Sequence, residues 1–372
     1  MLSDLINKAY TVKDCIQVYG RSFLLGFRKQ KLPPGRLRNL FSEHKKNQRF
    51  LFEAFRTQGP IIKLRTGSIL TICISGLPLC RKFLREHASR VIPESLDLTT
   101  LFPIGHLRSM EGQVHKHYRS VLSSNIDEAA IEKDRAYQRS IISDALNDYV
   151  TASASKPSPK SLIETLNEIS TSILIRIFFG AVKGTEHYDK LIDLYKAFGG
   201  SKWMAYSEDR RITGFNSIKA YLLDYRASEN ALNDPYFKDS ILYKLAEHDE
   251  VDQTLLGNII VMVISGKGDI NGLLRWAFYY AAENPAIMDQ VTADNQATTI
   301  HAVAPAKAFI MEVLRLNQIE SLLRIVQEDL IFENYLVPKG SFVWLALWES
   351  HKSADSFEDP FEFRTQRFLD NT

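Results

Sequence analysis

The stretch from Leu255 to Ala282 constrains this chain more than any other feature. It keeps helical spacing without interruption until Asn284-Pro285, and the residue before a proline is pushed out of the helical region. One long central helix is therefore expected. Its opening part, Leu255 to Ile264, is mostly apolar; it is far too short to cross a bilayer and reads as buried helix. Around it, the pattern from Glu111 to about Leu274 is mostly helical, with turn clusters near Ser153–Pro159, Gly199–Gly200 and Asn233–Pro235. Within it, Leu162 to Phe179 closes on Gly180, a C-cap signal.

Strand signals come from both ends of the chain. Ile61–Thr66 and Ile69–Ile74 are β-branched runs separated by Gly67-Ser68, which predicts a hairpin. Pro78 opens a helix running to Arg90, and Phe41 to Arg56 reads as a single helix. Late strands are expected at Arg324–Val326, Leu330–Leu336 and Phe342–Ala346, after a last helix from Pro305 to Leu316. The fold class is α+β, mainly α: one large domain over residues 33–372, with a long central helix and a small β-sheet.

With 46 basic and 44 acidic residues among 372, net charge +2, the chain carries no bulk pull toward nucleic acid. Cys15, Cys73 and Cys80 are too few and too irregular for a disulfide framework, which favours a reducing, intracellular setting. None has metal-ligand spacing; Cys73 and Cys80 read as small core residues. Residues 1–32 form an N-terminal segment whose apolar clusters are cut by Asp4, Lys8, Lys13, Asp14 and Arg21, so no transmembrane helix is expected. Arg28, Lys29, Lys31, Arg36 and Arg38 flank Pro33-Pro34-Gly35. They suit either a peripheral contact with an anionic membrane surface or a solvated connector.

Glu312 and Arg315 stand three apart, on one face of a helix, among apolar Phe309, Ile310, Val313 and Leu314. A pair buried there is costly unless further hydrogen bonds satisfy it. His115 and Arg119, four apart, share another helix face; imidazole and guanidinium suit a carboxylate, or a solvated basic face. Arg324, flanked by Leu322, Leu323, Ile325 and Val326, is not placed for solubility alone. In the long helix, Gly266 and Gly268 each weaken the helix by about 1 kcal/mol relative to Ala. Asp269 beside them suits water-mediated proton relay, or burial against Arg275 or Lys267, although an i, i+2 neighbour does not face it.

The chain then runs through His351, Asp359, Pro360, Phe363, Arg367 and Phe368 to Thr372. In order and spacing, from Pro33 to Phe368, these elements resemble the cytochromes P-450, the heme-thiolate monooxygenases. The resemblance implies that Glu312, Arg315 and Arg367 form a structural network, Arg367 supplying the bonds that satisfy the buried pair. It assigns His115, Arg119 and Arg324 to the heme propionates, and to His351 a structural role. The pocket would be bordered by Val91–Met110, the long helix and Ile319–Leu323.

Two departures stand out. The family's helix threonine is absent: Ser265-Gly266-Lys267-Gly268-Asp269-Ile270-Asn271 places either Asp269 or Ile270 there. No cysteine follows Phe368, where the family carries its iron ligand. The resemblance implies oxidation of a lipophilic small molecule with dioxygen and electrons from a separate reductase or ferredoxin. The chain as it stands is expected to be truncated before the ligand loop and inactive alone. The alternatives are a non-catalytic relative that acts by binding, or a hydroperoxide-rearranging heme enzyme. Its location would be cytoplasmic or peripheral on a membrane.

Overall fold

The computed structural model describes residues 2–47, 49–94, 97–126, 134–155, 161–199, 206–247, 253–293, 304–317 and 322–369. Of the expected features, the turn residues 156–159 and 200, and residues 319–321 of the pocket border, lie outside that set. The chain forms two compact units, Met1–Glu94 with Glu283–Thr372, and Ser95–Ala282.

The first unit begins with helices α1 (Leu2–Leu25), α2 (Leu40–Lys46), α3 (Phe50–Gln58) and α4 (Leu77–His87). The second consists of α5 (Gly112–Asn125), α6 (Arg135–Ser155), α7 (Leu162–Phe179), α8 (Glu186–Phe198), α9 (Glu208–Arg226), α10 (Glu229–Asn233), α11 (Pro235–Lys238), α12 (Ile241–Glu247) and α13 (Gln253–Glu283), whose last residue falls in the first unit. The chain then returns to the first unit with α14 (Pro285–Ala293), α15 (Ala304–Asn317), α16 (Leu347–Ser350) and α17 (Gln366–Leu369).

The sheet of the first unit has the order β1 (Ile61–Thr66), β2 (Ile69–Ser75), β7 (Phe342–Ala346), β4 (Leu322–Val326), β3 (Val91–Pro93). Only the β2–β7 pair is parallel. Side chains alternate between its faces as a pleated strand requires. Ile72, Ile74, Val343 and Leu345 enter a core with Phe83 and Cys80 of α4 and Val18 and Leu25 of α1. Ile62, Leu64 and Cys73 pack on the other face against Leu40, Leu51 and Ala54 of α2 and α3. The N-terminal helix is thus part of this core. Arg21 donates to the Lys339 carbonyl and Arg28 pairs with Asp329.

Two expectations are corrected here. Phe41–Arg56 is not one helix, because Asn47 leaves the helical region at φ −144° and its Oδ1 accepts the Arg49 N–H at 2.9 Å. That local bond competes with the helix ladder. Leu330–Leu336 is not one strand either. It folds into a hairpin, β5 (Leu330–Phe332) and β6 (Tyr335–Val337), with Glu333 and Asn334 at φ +47° and +65°. Two positive φ values are what a tight primed turn demands, and asparagine tolerates them better than most residues.

The second unit is helical. Ser161 and Glu164 form a capping box at the start of α7, and Gly180 ends it at φ +71°. The first part of α13 is buried all round, Thr254 to Val261, among Phe102, Ile175, Phe178, Phe198 and Phe215. Arg176, 2% exposed on α7, is held by Asp134 at 2.6 Å and donates to the Tyr236 carbonyl at 2.8 Å.

Gly180 and Gly184 separate strain from contact. Both have positive φ, but a Cβ at Gly180 would stand 2.4 Å from the Phe237 Cα, whereas at Gly184 nothing lies within 4 Å. Gly184→Ala is expected to cost about 1 kcal/mol, from backbone strain alone. Gly180→Ala should cost more than about 2 kcal/mol, because backbone must also move. Urea denaturation of the two variants measures the difference.

Candidate functional site

Glu312 and Arg315 lie on α15, 0% and 3% exposed. The guanidinium grips the carboxylate through two bonds, Nε to Oε2 and Nη2 to Oε1, each 2.7 Å. Its remaining donors reach the carbonyls of His351 at 2.9 Å, Pro360 at 2.7 Å and Glu362 at 3.0 Å. A guanidinium has five N–H groups, and all of Arg315's are used. Glu312 Oε1 also accepts the Arg364 amide at 2.9 Å and Arg367 Nε at 3.4 Å. Arg367 is thus the longest of these contacts, and backbone groups supply most of what satisfies the pair. Arg367 itself donates to the carbonyls of Asp359, at 2.8 Å, and Glu358. Between these carbonyls Asp359 sits at φ +43°, a strained conformation that two arginines hold.

Behind the network, the Leu316 carbonyl accepts Trp348 Nε1 at 3.1 Å and Lys352 Nζ. The Lys352 amine lies 3.6 Å from the Trp348 ring centre. Burial, then the Arg315 charge, pulls this amine down to about 7. Burial pushes the neighbouring Glu349 carboxyl up to about 7, and its Oε2 has no hydrogen-bond partner among the described residues. His351 Nδ1 is also buried without a partner among the described residues, and desolvation lowers that imidazole's pKa.

Arg324 lies half-buried in β4, between Val343 of β7 and Pro93 of β3, and its Nη1 reaches the Leu323 carbonyl at 3.0 Å. His115 and Arg119 belong to the second unit, one turn apart on α5. His115 is half-buried and Arg119 exposed, beside the buried Tyr118, Val121 and Leu122. On α13 the helix runs unbroken through Ser265–Asn271. Asp269 is exposed, which overturns the alternative of a buried acid. Asn271 is latched to α7: it accepts from Ser170 Oγ at 2.7 Å and donates to Asn167 Oδ1.

One residue escaped the sequence reading. Asn258, 1% exposed, accepts the Leu107 N–H at 2.6 Å and donates to the Gly105 carbonyl at 3.2 Å and the Thr254 carbonyl at 2.9 Å. It pins the loop ahead of α5 to the long helix. The signal was there: a lone amide inside the apolar run Leu255–Ile264. One residue earlier, a Cβ at Gly257 would meet the Phe102 ring at 2.5 Å, so that loop approaches where the helix has no side chain.

Residues 247–372 match the family model for cytochrome P450. Cytochrome P450 71B1 of Thlaspi arvense is 22% identical, over 92% of this chain and 79% of its own length. The germacrene A acid 8-beta-hydroxylase of Helianthus annuus is 21% identical, over 85% and 72%. Among solved structures, the retinoic acid-bound cyanobacterial CYP120A1 superposes with a TM-score of 0.70 at 18% identity, over 91% of this chain and 82% of that one. A zebra fish cytochrome P450 with abiraterone gives 0.66 at 18%, over 87% and 82%. Together these likenesses support membership of the cytochrome P450 superfamily.

The cofactor of cytochromes P450 is heme, and its fit can be tested on the donors present. Cationic and imidazole groups suited to carboxylates exist at His115, Arg119 and Arg324. An axial thiolate is another matter. Cys73 and Cys80 are 0% and 2% exposed in the sheet core. Cys80 Sγ points at the Ile74 carbonyl, 3.4 Å away. Burial drives both thiols up, Cys80 to about 11, so neither offers a thiolate near neutral pH. The Cys15 side chain lies outside the described residues. Among the described residues no cluster of His, Cys, Asp or Glu holds a metal-ligating arrangement.

Two outcomes test the network. Glu312→Gln leaves the Arg315 cation buried without its counter-charge and should cost about 3–5 kcal/mol in chemical denaturation. A loss under about 1 kcal/mol would mean that the carbonyls alone satisfy Arg315. For Lys352, the unfolded chain keeps its proton to near 10.5 while the folded one releases it near 7. The unfolded state therefore binds more protons between those values, and this group makes stability rise with pH across that window. Lys352→Met should remove the rise, as melting curves from pH 7 to 10 would record.

Proposed function

We propose that this chain carries the frame of a monooxygenase acting on a lipophilic small molecule, with electrons delivered by a separate reductase or ferredoxin. The observation that carries the reading is the saturated Glu312–Arg315 network, with Arg367 beside it, which fixes the backbone from His351 to Arg364. In the family that segment supports the heme. His115, Arg119 and Arg324 are the residues we assign to its propionates, and Asp269 to relaying protons through water. The loop pinned by Asn258 is assigned to the wall of the substrate pocket. Heme supplies dioxygen chemistry when bound.

Because Cys73 and Cys80 are locked in the sheet core, the chain by itself is not expected to complete that chemistry. The same observation favours a second reading, a non-catalytic relative that acts by binding. Titration of the purified chain with hemin, followed by reduction under carbon monoxide, tests the point. The expected spectrum lacks a thiolate-type band, and a stable band of that type would overturn the assignment of the cysteines. Uptake of hemin that weakens in Arg119→Gln and Arg324→Gln supports the frame, while no uptake at all leaves the binding reading.

Peripheral membrane contact is part of the proposal. Among the described residues no helix is long and apolar enough to cross a membrane. Yet α1 leaves Val12, Ile16, Tyr19 and Phe23 exposed at helical spacing, with Phe27 just beyond it, while Val18 and Leu25 are buried in the core. Exposed Lys29 and Arg36 follow. An apolar stripe with cations beside it suits an anionic bilayer surface. Sedimentation with anionic vesicles should carry the chain down, and Phe23→Asp with Phe27→Asp should leave it in solution. Equal sedimentation of that double variant would remove the assignment.

A further inference from the structure

A cavity of about 590 Å³ lies within the second unit, between α7, α8 and α13. Its apolar lining comes from Val263 and Ile264 of α13 and from Tyr188, Ile192 and Tyr195 of α8. The two tyrosine hydroxyls are already committed, Tyr188 to Ser172 Oγ at 2.7 Å and Tyr195 to the Ile260 carbonyl at 3.1 Å. The rings therefore present carbon to the cavity. Of the charges at the edge, Lys183 binds Glu168 at 2.8 Å and Lys196 binds Asp193 at 3.4 Å, while Asp189 is exposed at the rim. Lys267 is different. It lines the same cavity from α13, is half-buried, and among the described residues has no carboxylate partner.

We propose that this cavity binds a monoanionic amphiphile, a single carboxylate on an apolar body, with Lys267 as its counter-charge. A half-buried ammonium without a partner is costly, and a carboxylate arriving with its own apolar tail relieves that cost and fills the space. Burial is also the cause that shifts the Lys267 amine, downward, and among the described residues no carboxylate pairs with it to offset that shift. One ammonium, with the Asp189 carboxylate at the exposed rim, suits one negative charge rather than two.

The site is distinct from the one assigned to proton relay. At about 100° per residue, Asp269 stands about 200° around the helix from Lys267, on the opposite side. Asn271, one turn beyond Lys267, is the residue bonded to Asn167 and Ser170 of α7, which fixes the direction that the Lys267 side of α13 faces. The proposal therefore concerns a second ligand, and it stands whether or not the chain turns over a substrate.

Dodecanoate is the probe, titrated calorimetrically into the full chain beside dodecan-1-ol, which has the same tail and no charge. Saturable binding of one dodecanoate per chain is expected. Lys267→Gln should weaken dodecanoate by about tenfold or more and leave dodecan-1-ol unchanged, since the lost contact is charge-assisted. Lys267→Arg keeps the charge and should keep most of the affinity, and Ile192→Trp, which fills the cavity, should abolish both ligands. Urea midpoints of the variants confirm that each is folded. Absence of saturable binding to the wild-type chain, equal dodecanoate affinity in Lys267→Gln, or full binding to Ile192→Trp would each overturn the assignment.

Discussion

A guanidinium with no donor to spare organises the first unit. The segment from His351 to Arg364 has little regular structure, so its carbonyls cannot satisfy one another through a ladder. Arg315 collects three of them, and Glu312 collects the Arg364 amide in return. A buried ion pair is often a poor investment for stability. Here its worth lies elsewhere: one charge pair sets the path of an irregular loop that hydrophobic packing alone would leave underdetermined. The left-handed Asp359 is a by-product, held because its neighbours' carbonyls have been claimed.

The long helix divides its labour along its length and around its circumference. Its first part is enclosed by aromatic side chains, and polarity enters at Thr254 and at Asn258, which holds the neighbouring loop. Farther on, the Lys267 and Asn271 side faces α7, while the exposed Asp269 projects from the other side. Two kinds of chemistry can thus share a few residues without sharing a surface. The glycines at 266 and 268 leave both sides of that stretch uncluttered.

Much of this was legible before any coordinates, where the signal is local. Gly67-Ser68 between β-branched runs, Gly180 after an apolar helix and Pro285 after the long one are each physical stops, and the elements end where those residues sit. The pairing of Glu312 with Arg315 follows from i, i+3 spacing, but the three carbonyls that complete it are 36 to 47 residues away and carry no sequence signature. The same distance hid Asp134 as the partner of Arg176. The misread elements failed for a different reason. At Asn47 and Asn334 a short polar side chain stabilises a local turn inside a pattern whose hydrophobic spacing runs on regardless. Placing His115, Arg119 and Arg324 at a common ligand rests on resemblance, since helix spacing shows a shared face and nothing of what that face meets.

Gly257 carries a consequence for how such a chain can change. The Phe102 ring rests where the helix backbone is bare, so the loop's shape is a cast of an absent side chain. Any larger residue at 257 displaces that ring, and any smaller residue at 102 leaves a hollow over the helix. The two positions form a lock in which neither half is interchangeable by itself. A loop transplanted from a relative would seat only if the helix beneath it were recut to match. Change at this contact therefore proceeds by paired steps across a helix and a loop 155 positions apart (257 against 102).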